Sequence, residues 1–129
     1  MAKRQEKILI IEDNPGFQFC FRAALENDGY TVLQALDGEQ GLEMAKTTIP
    51  DLILLDLMLP KLHGFEVLKN IRAHPSTIVI PVVILSVMDT LKDRQKATEL
   101  GANDYFVKGS ESPRQIAKMA VGVLAKVCA

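Results

Sequence analysis

Tryptophan is absent from this chain of 129 residues, and cysteine occurs only twice. Cys20 lies among apolar residues of a predicted helix and Cys128 is next to last, which makes neither a disulfide framework nor a cysteine metal site. A reduced intracellular setting is the simpler reading. Long hydrophobic runs are also missing. The longest, Ile78 to Leu85, contains Pro81 and falls far short of the ~20 residues that span a bilayer. Met1 to Lys7 is polar, and the apolar run behind it stops at Glu12, too short for the core of a signal peptide. No membrane partner is expected, and the location expected is cytoplasmic. Neither sign of charge prevails, because 15 Lys and Arg stand against 16 Asp and Glu. Without a basic surface or a helix-turn-helix unit, direct binding of nucleic acid is not expected. There is also no Gly-x-x-x-x-Gly-Lys-Ser/Thr loop for nucleotide phosphates and no Gly-x-Gly-x-x-Gly dinucleotide fingerprint.

What the chain has is the balance of a globular protein, 48% hydrophobic and 24% charged. Its length suffices to bury a core without staples. A single domain is expected over 1–129, with its core at about 7–127. No internal repeat, low-complexity linker or output domain is visible.

Strand-like and helix-like segments alternate. Ile8-Leu9-Ile10-Ile11 is a β-rich run ending in two acids. Asn14-Pro15 then reads as a cap with proline at the first helical position. Phe17, Phe21, Ala24 and Leu25 follow at helical spacing, and Asp28-Gly29 ends the helix. Tyr30 to Leu33 is the second strand. Asp37-Gly38 turns into a helix carrying Leu42 and Ala45, closed off by Pro50. Leu52-Ile53-Leu54-Leu55 is apolar without alternation, as in a parallel strand buried on both faces. After a loop with Pro60 and Gly64, Phe65, Leu68 and Ile71 mark the third helix. Pro81 to Leu85 is the fourth strand. Thr90 and Asp93 resemble a capping box with a shortened acid, and Gly101 suits the far end of that fourth helix. Asn103 to Val107 is the fifth strand. Ser112-Pro113 opens the last helix, whose apolar face is Ile116, Met119, Ala120, Val123, Leu124 and Val127. Such alternation predicts an α/β fold, a parallel sheet with helices on both faces.

Ligands of open parallel sheets bind beyond the carboxyl ends of the strands. The first strand ends in Glu12-Asp13, the third in Asp56, the fourth in Ser86 and the fifth in Lys108. The second ends near Gln34 and Ala35, with no catalytic group. Each residue alone has a plain structural explanation: a helix start for Asp13, a turn for Ser86, a solvated charge for Lys108. Together they put three carboxylates, a hydroxyl and an ammonium on one edge. Three crowded acids repel one another. A hard divalent cation resolves this, and oxygen-only ligands favour Mg²⁺, Mn²⁺ or Ca²⁺. A carboxylate held beside a metal, a lysine and a hydroxyl is equipped to attack an electrophilic phosphorus.

With the acid pair Glu12-Asp13, the stretch Asp56-Leu57-Met58-Leu59-Pro60-Lys61-Leu62-His63-Gly64-Phe65, Ser86, Gly101-Ala102-Asn103-Asp104-Tyr105 and Lys108 in this order, the chain resembles the receiver domains of two-component response regulators. The resemblance runs from about Lys7 to Leu124. It implies a doubly wound five-stranded parallel sheet, a flavodoxin-like (βα)5 fold with strand order 2-1-3-4-5. It implies that Asp56 accepts a phosphoryl group from a sensor histidine kinase or a phosphotransfer protein. Mg²⁺, or Mn²⁺ in its place, would be held by Asp13, Asp56 and the backbone carbonyl of Met58, with Glu12 holding a metal-bound water. Ser86 would hydrogen-bond the phosphoryl group. Lys108 would pair with Asp56 at rest and with the phosphoryl group afterwards. Tyr105 matches the aromatic switch residue, whose ring turns inward as Ser86 moves. The face of the fourth helix, fifth strand and fifth helix would then meet a downstream protein, as a monomer or a phosphorylation-linked dimer.

Two positions depart from the family pattern. Ser86 replaces the commoner threonine and keeps the hydroxyl. Gly109 stands where proline, often after a cis bond, usually follows the lysine; a trans bond is expected here, and glycine's freedom at positive φ offers another way to place Lys108. Met58 and Met88 occupy positions that influence the lifetime of the acyl phosphate in similar proteins, either by limiting water access or merely as packing. A haloacid-dehalogenase-type phosphatase also uses an aspartate nucleophile but needs a second aspartate two residues on, where Met58 stands. Catalysis beyond the chain's own phosphorylation and dephosphorylation is therefore not expected. The alternative is a phosphorylation-independent interaction module on the same fold, for which the altered loop after Lys108 speaks and the full set of acids and lysine speaks against. Both a stand-alone regulator and the receiver of a larger regulator fit the residues.

Overall fold

The computed structural model describes residues 5–128, the last two by their backbone only. Its elements, in chain order, are β1 (Lys7–Ile11), α1 (Pro15–Asn27), β2 (Thr31–Ala35), α2 (Gly38–Thr48), β3 (Leu52–Asp56), α3 (Gly64–Ala73), β4 (Val82–Ser86), α4 (Leu91–Glu99), β5 (Asp104–Val107) and α5 (Pro113–Cys128). The strands form one sheet in the order β2-β1-β3-β4-β5, every neighbouring pair parallel. This is the doubly wound flavodoxin-like α/β fold that the resemblance implied.

Strand periodicity divides the core in two. Ile8 and Ile10 of β1, Leu52 and Leu54 of β3, and Val83 and Leu85 of β4 pack against Phe21 and Leu25 of α1 and Ile116, Ala120 and Leu124 of α5. The alternate residues Leu9, Ile11, Ile53, Leu55, Val82 and Ile84 face Ala45 of α2, Val67, Leu68 and Ile71 of α3, and Ala97 of α4. Successive side chains of a strand point to opposite faces, so a strand with helices on both sides must be apolar throughout. All five residues of β3 are accordingly buried.

Helix ends follow local chemistry. The Asn14 side chain accepts from the Phe17 N–H at 3.1 Å, with Pro15 opening α1. The Thr90 hydroxyl accepts from the Asp93 N–H at 3.1 Å and donates to the Asp93 carboxylate at 2.6 Å. The aspartate is too short for the usual return bond to the cap's backbone, so it bonds the hydroxyl instead. Gly101, at φ +100°, follows the end of α4.

Several strand boundaries differ from those expected. Tyr30 is not in β2: its N–H bonds the Leu25 carbonyl at 3.1 Å and finishes α1. The strand instead runs on to Ala35, in register with Ile11. Pro81 has no N–H for the ladder and stays outside β4. Asn103 precedes β5, its side-chain oxygen accepting from the Val82 N–H at 2.9 Å and from Arg72 Nη2 at 3.0 Å. Cys20 lies on the first helix, as expected, and its side chain is exposed. On α5, Met119 is 37% exposed, and Ala117 takes the buried place beside Ile116. The side chains of Val127 and Cys128 lie outside what is described, as do Met1 to Arg4. Among the described residues, no helix is long and apolar enough to cross a membrane.

Candidate functional site

Parallel strands all finish at the same edge of the sheet, and four of the five deliver a polar side chain there. Glu12 and Asp13 follow β1, Asp56 ends β3, Ser86 ends β4 and Lys108 follows β5. Carboxylate oxygens of Glu12, Asp13 and Asp56 lie within 4.8 Å of one another. Glu12 and Asp56 are buried, whereas Asp13 faces solvent and opens the cleft.

The Lys108 ammonium donates to Asp56 Oδ2 at 3.2 Å and to Glu12 Oε1. Its side chain is 7% exposed, so a cation and two carboxylates share a poorly hydrated volume. Glu12 Oε2 also accepts from the Asn14 N–H at 3.1 Å. Burial pushes the Glu12 carboxyl up to about 7, with Lys108 pulling down and the Asp56 charge pushing further up. That surplus of negative charge, in an oxygen-only cluster, fits a hard divalent cation.

Asp56 Oδ1 accepts from the Met58 N–H at 3.2 Å. The loop beyond it needs Gly64: a Cβ there would stand 2.4 Å from the Asp56 carbonyl oxygen and 2.5 Å from Leu57 Cα. On the other flank, the buried Ser86 hydroxyl accepts from the Met88 N–H at 3.1 Å. The Tyr105 hydroxyl donates to the Met88 carbonyl at 2.6 Å, its ring lying inward and 8% exposed. Burial raises the Tyr105 phenol above its ordinary range. The guanidinium of Arg94 on α4 covers that ring, 5.0 Å from its centroid. Met58 and Met88 are 56% and 41% exposed beside the cleft. No described peptide bond is cis, and Gly109 follows Lys108 at φ +90°.

Two side chains that the motifs did not single out hold this edge together. Gln18 of α1 is 2% exposed, and its amide nitrogen lies 3.0 Å from the carbonyl oxygens of Ile10, Glu12 and Ala35. Its own oxygen accepts from Gln34 at 3.0 Å, and Gln34 accepts from Arg22 at 3.0 Å. A signal for it existed, because Gln18 precedes Phe21 by one helical turn and shares its buried stripe. The second is Phe17, whose ring centroid lies 4.5 Å from Lys108 Nζ. No spacing rule connects these two residues across the chain.

The chain is similar to a transcriptional regulatory protein for alkaline phosphatase synthesis, PhoP, of Bacillus subtilis. The two are 41% identical over 111 residues, which is 86% of this chain and 45% of that protein. It is similar also to the DNA-binding dual master transcriptional regulator RpaA of a Synechocystis species, 39% identical over 88% of this chain and 47% of that protein. The chain thus spans less than half the length of these curated relatives. Among solved structures, it resembles the receiver domain of a Pseudomonas aeruginosa sensor histidine kinase with a magnesium ion coordinated in its active-site cleft. Identity there is 30% and the TM-score 0.83, covering 95% of this chain and 99% of that one. A chemotaxis response regulator of Vibrio cholerae matches at 26% identity and a TM-score of 0.86, covering 93% of this chain and 99% of that one. A family model for the response regulator receiver domain matches residues 8–120, and the chain belongs to that family of two-component signalling proteins.

Proposed function

We propose that this chain is a phosphorylation-dependent switch whose Asp56 carboxylate attacks the phosphorus of a phosphohistidine on a sensor histidine kinase or phosphotransfer protein. An Asp56 oxygen forms the new bond to phosphorus, the bond from phosphorus to the imidazole nitrogen breaks, and that nitrogen leaves as a neutral base. The observation that carries this reading is the buried Asp56 carboxylate, held 3.2 Å from Lys108 beside Glu12 and Asp13. Lys108 turns from Asp56 to the phosphoryl oxygens, and the Ser86 hydroxyl donates to one of them. Asp13, Asp56 and the Met58 carbonyl would hold Mg²⁺, or Mn²⁺ in its place, with Glu12 acting through a water; the ion supplies charge neutralisation at the phosphoryl oxygens.

Ser86 and Tyr105 both bond the backbone of Met88, so a movement of Ser86 toward the phosphoryl group pulls on the segment leading into α4. That segment carries the exposed Val87 and Met88, and α4 opens on the exposed Leu91. The α4–β5–α5 face is thereby the proposed docking surface for a downstream protein or for a second, phosphorylated copy. Exposed Met58 and Met88 stand where they slow water's approach to the acyl phosphate; Met88→Ala shortens its lifetime if so. The compartment proposed is the cytoplasm, and no turnover of an external substrate is proposed.

Intact-mass spectrometry after incubation with acetyl phosphate tests the reading, with and without Mg²⁺, on wild type and Asp56→Asn. One phosphoryl adduct requiring both the ion and Asp56 is the expected result. A folded wild type without an adduct would favour a phosphorylation-independent interaction module.

A further inference from the structure

The backbone of Lys108 is anchored at the end of β5 and is also paired with Glu111, beyond Gly109, in an isolated bridge. Its backbone N–H bonds the Ser86 carbonyl at 2.8 Å as β5 ends. The next residue is the exposed Gly109, at φ +90° with nothing within 4 Å of where a Cβ would stand. These backbone contacts fix where the lysine side chain begins and leave its flexible four-carbon stem to be placed by what surrounds it. The lysine side chain is almost fully enclosed, and the carboxylates touch only part of its ammonium. The face of Phe17 closes another side, with its centroid 4.5 Å from Nζ.

Phe17 is well supported for such a task. It stands in the first turn of α1, where its N–H bonds the Asn14 cap, and its ring stacks on the buried Phe21 at 5.9 Å between centroids. The negative face of an aromatic ring attracts an ammonium, most strongly where water is excluded. A ring also leaves the three N–H donors of the lysine free for oxygen acceptors. We propose that Phe17 is the positioning residue of Lys108: its ring holds the ammonium in the carboxylate cleft, a hold that the backbone pairing around Lys108 does not give its side chain.

The inference rests on the proposed pairing of Lys108 with the phosphoryl group. The test compares wild type, Phe17→Leu and Phe17→Trp in Mg²⁺ buffer. It reads the rate of phosphorylation by acetyl phosphate, the NMR shift of the Lys108 ε-methylene protons and the melting temperature. In the wild type, the ring moves those protons upfield of an exposed lysine. Phe17→Leu is expected to abolish that shift and slow phosphorylation by roughly two- to tenfold while staying folded, and Phe17→Trp to restore both. An unshifted lysine in the wild type overturns the proposal, as does a lost shift with an unchanged rate. Equal slowing by leucine and tryptophan overturns it too, since packing alone would explain that. If wild type takes no phosphoryl group, the proposed function falls, and the ring-induced shift alone decides the placement of Lys108.

Discussion

The Lys108 ammonium lies 3.2 Å from Asp56 and also pairs with Glu12, two of the three carboxylates that group within 4.8 Å of one another. A divalent cation drawn to the same carboxylates would meet that ammonium, so the lysine would be both a partner of the site and a competitor of the metal. Lys108→Met leaves two buried carboxylates without their cation. In Mg²⁺-free buffer this is expected to cost about 3 kcal/mol of folding stability, the lower end for a buried pair that loses one partner. Magnesium should restore part of the loss, and its affinity should exceed that of wild type. Calorimetric titration of Mg²⁺ into both proteins checks the sign. Weaker binding by the variant would show that Lys108 orders the carboxylates more than it competes for them.

Glu12 gives the site a pH dependence. Its carboxyl is raised from 4.5 to about 7, burial being the main cause. Between those values the folded chain binds a proton that the unfolded chain does not, so the contribution of Glu12 to stability is full below about 4.5 and lost as pH rises through about 7. Removing the ionisable group removes this slope. Denaturation in the presence of a chelator should therefore show Glu12→Gln gaining on wild type as pH rises across that window. A pH-independent difference would place the Glu12 carboxyl near its ordinary value.

The edge of the sheet was legible in the sequence because β-strand residues are local in their signal. An acid that ends Leu52-Ile53-Leu54-Leu55 has one place to be, and parallel strands bring all such ends together. Gln18 and Phe17 were not legible as site residues for the opposite reason. Their partners lie across the fold: Ala35 is 17 residues from Gln18 and bonded to it at 3.0 Å. Phe17 meets Lys108 through a ring face that leaves no pattern in either segment. The strand ends shifted where a competing bond claimed a residue, as Leu25 did for Tyr30.

Glycines divide by what surrounds them. Gly64→Ala would drive a methyl into the backbone of Asp56 and Leu57, which cannot swing aside. The expected cost is about 1–3 kcal/mol, the usual range for forced overpacking. Slower phosphorylation should accompany it, since Asp56 itself must shift. Gly122 in α5 has nothing within 4 Å of a Cβ and an ordinary φ. Gly122→Ala should therefore stabilise by about 0.5–1 kcal/mol through the unfolded chain's lost freedom. Urea melts of the two variants should move in opposite directions.

Gln18 offers the sharpest separation of hydrogen bonding from packing. Gln18→Met keeps the length and apolar stem of the side chain but removes the donor facing the Ile10, Glu12 and Ala35 carbonyls. The Ala35 carbonyl keeps the Glu12 N–H at 3.0 Å, so the strand ends are not wholly abandoned. A loss of about 1–3 kcal/mol is expected for the buried acceptors left without their donor. Gln18→Glu has nearly the same shape, yet one oxygen of its ionised carboxylate would stand against the three carbonyl oxygens that the amide nitrogen now faces. It should be the more damaging change at neutral pH and should recover toward wild type in acid, where a protonated carboxyl donates again. Methionine has no such pH term. If both variants lost equal stability at every pH, Gln18 would be acting through its volume, and the three carbonyl contacts would carry little of the strand-end order that sets Glu12 beside Asp56.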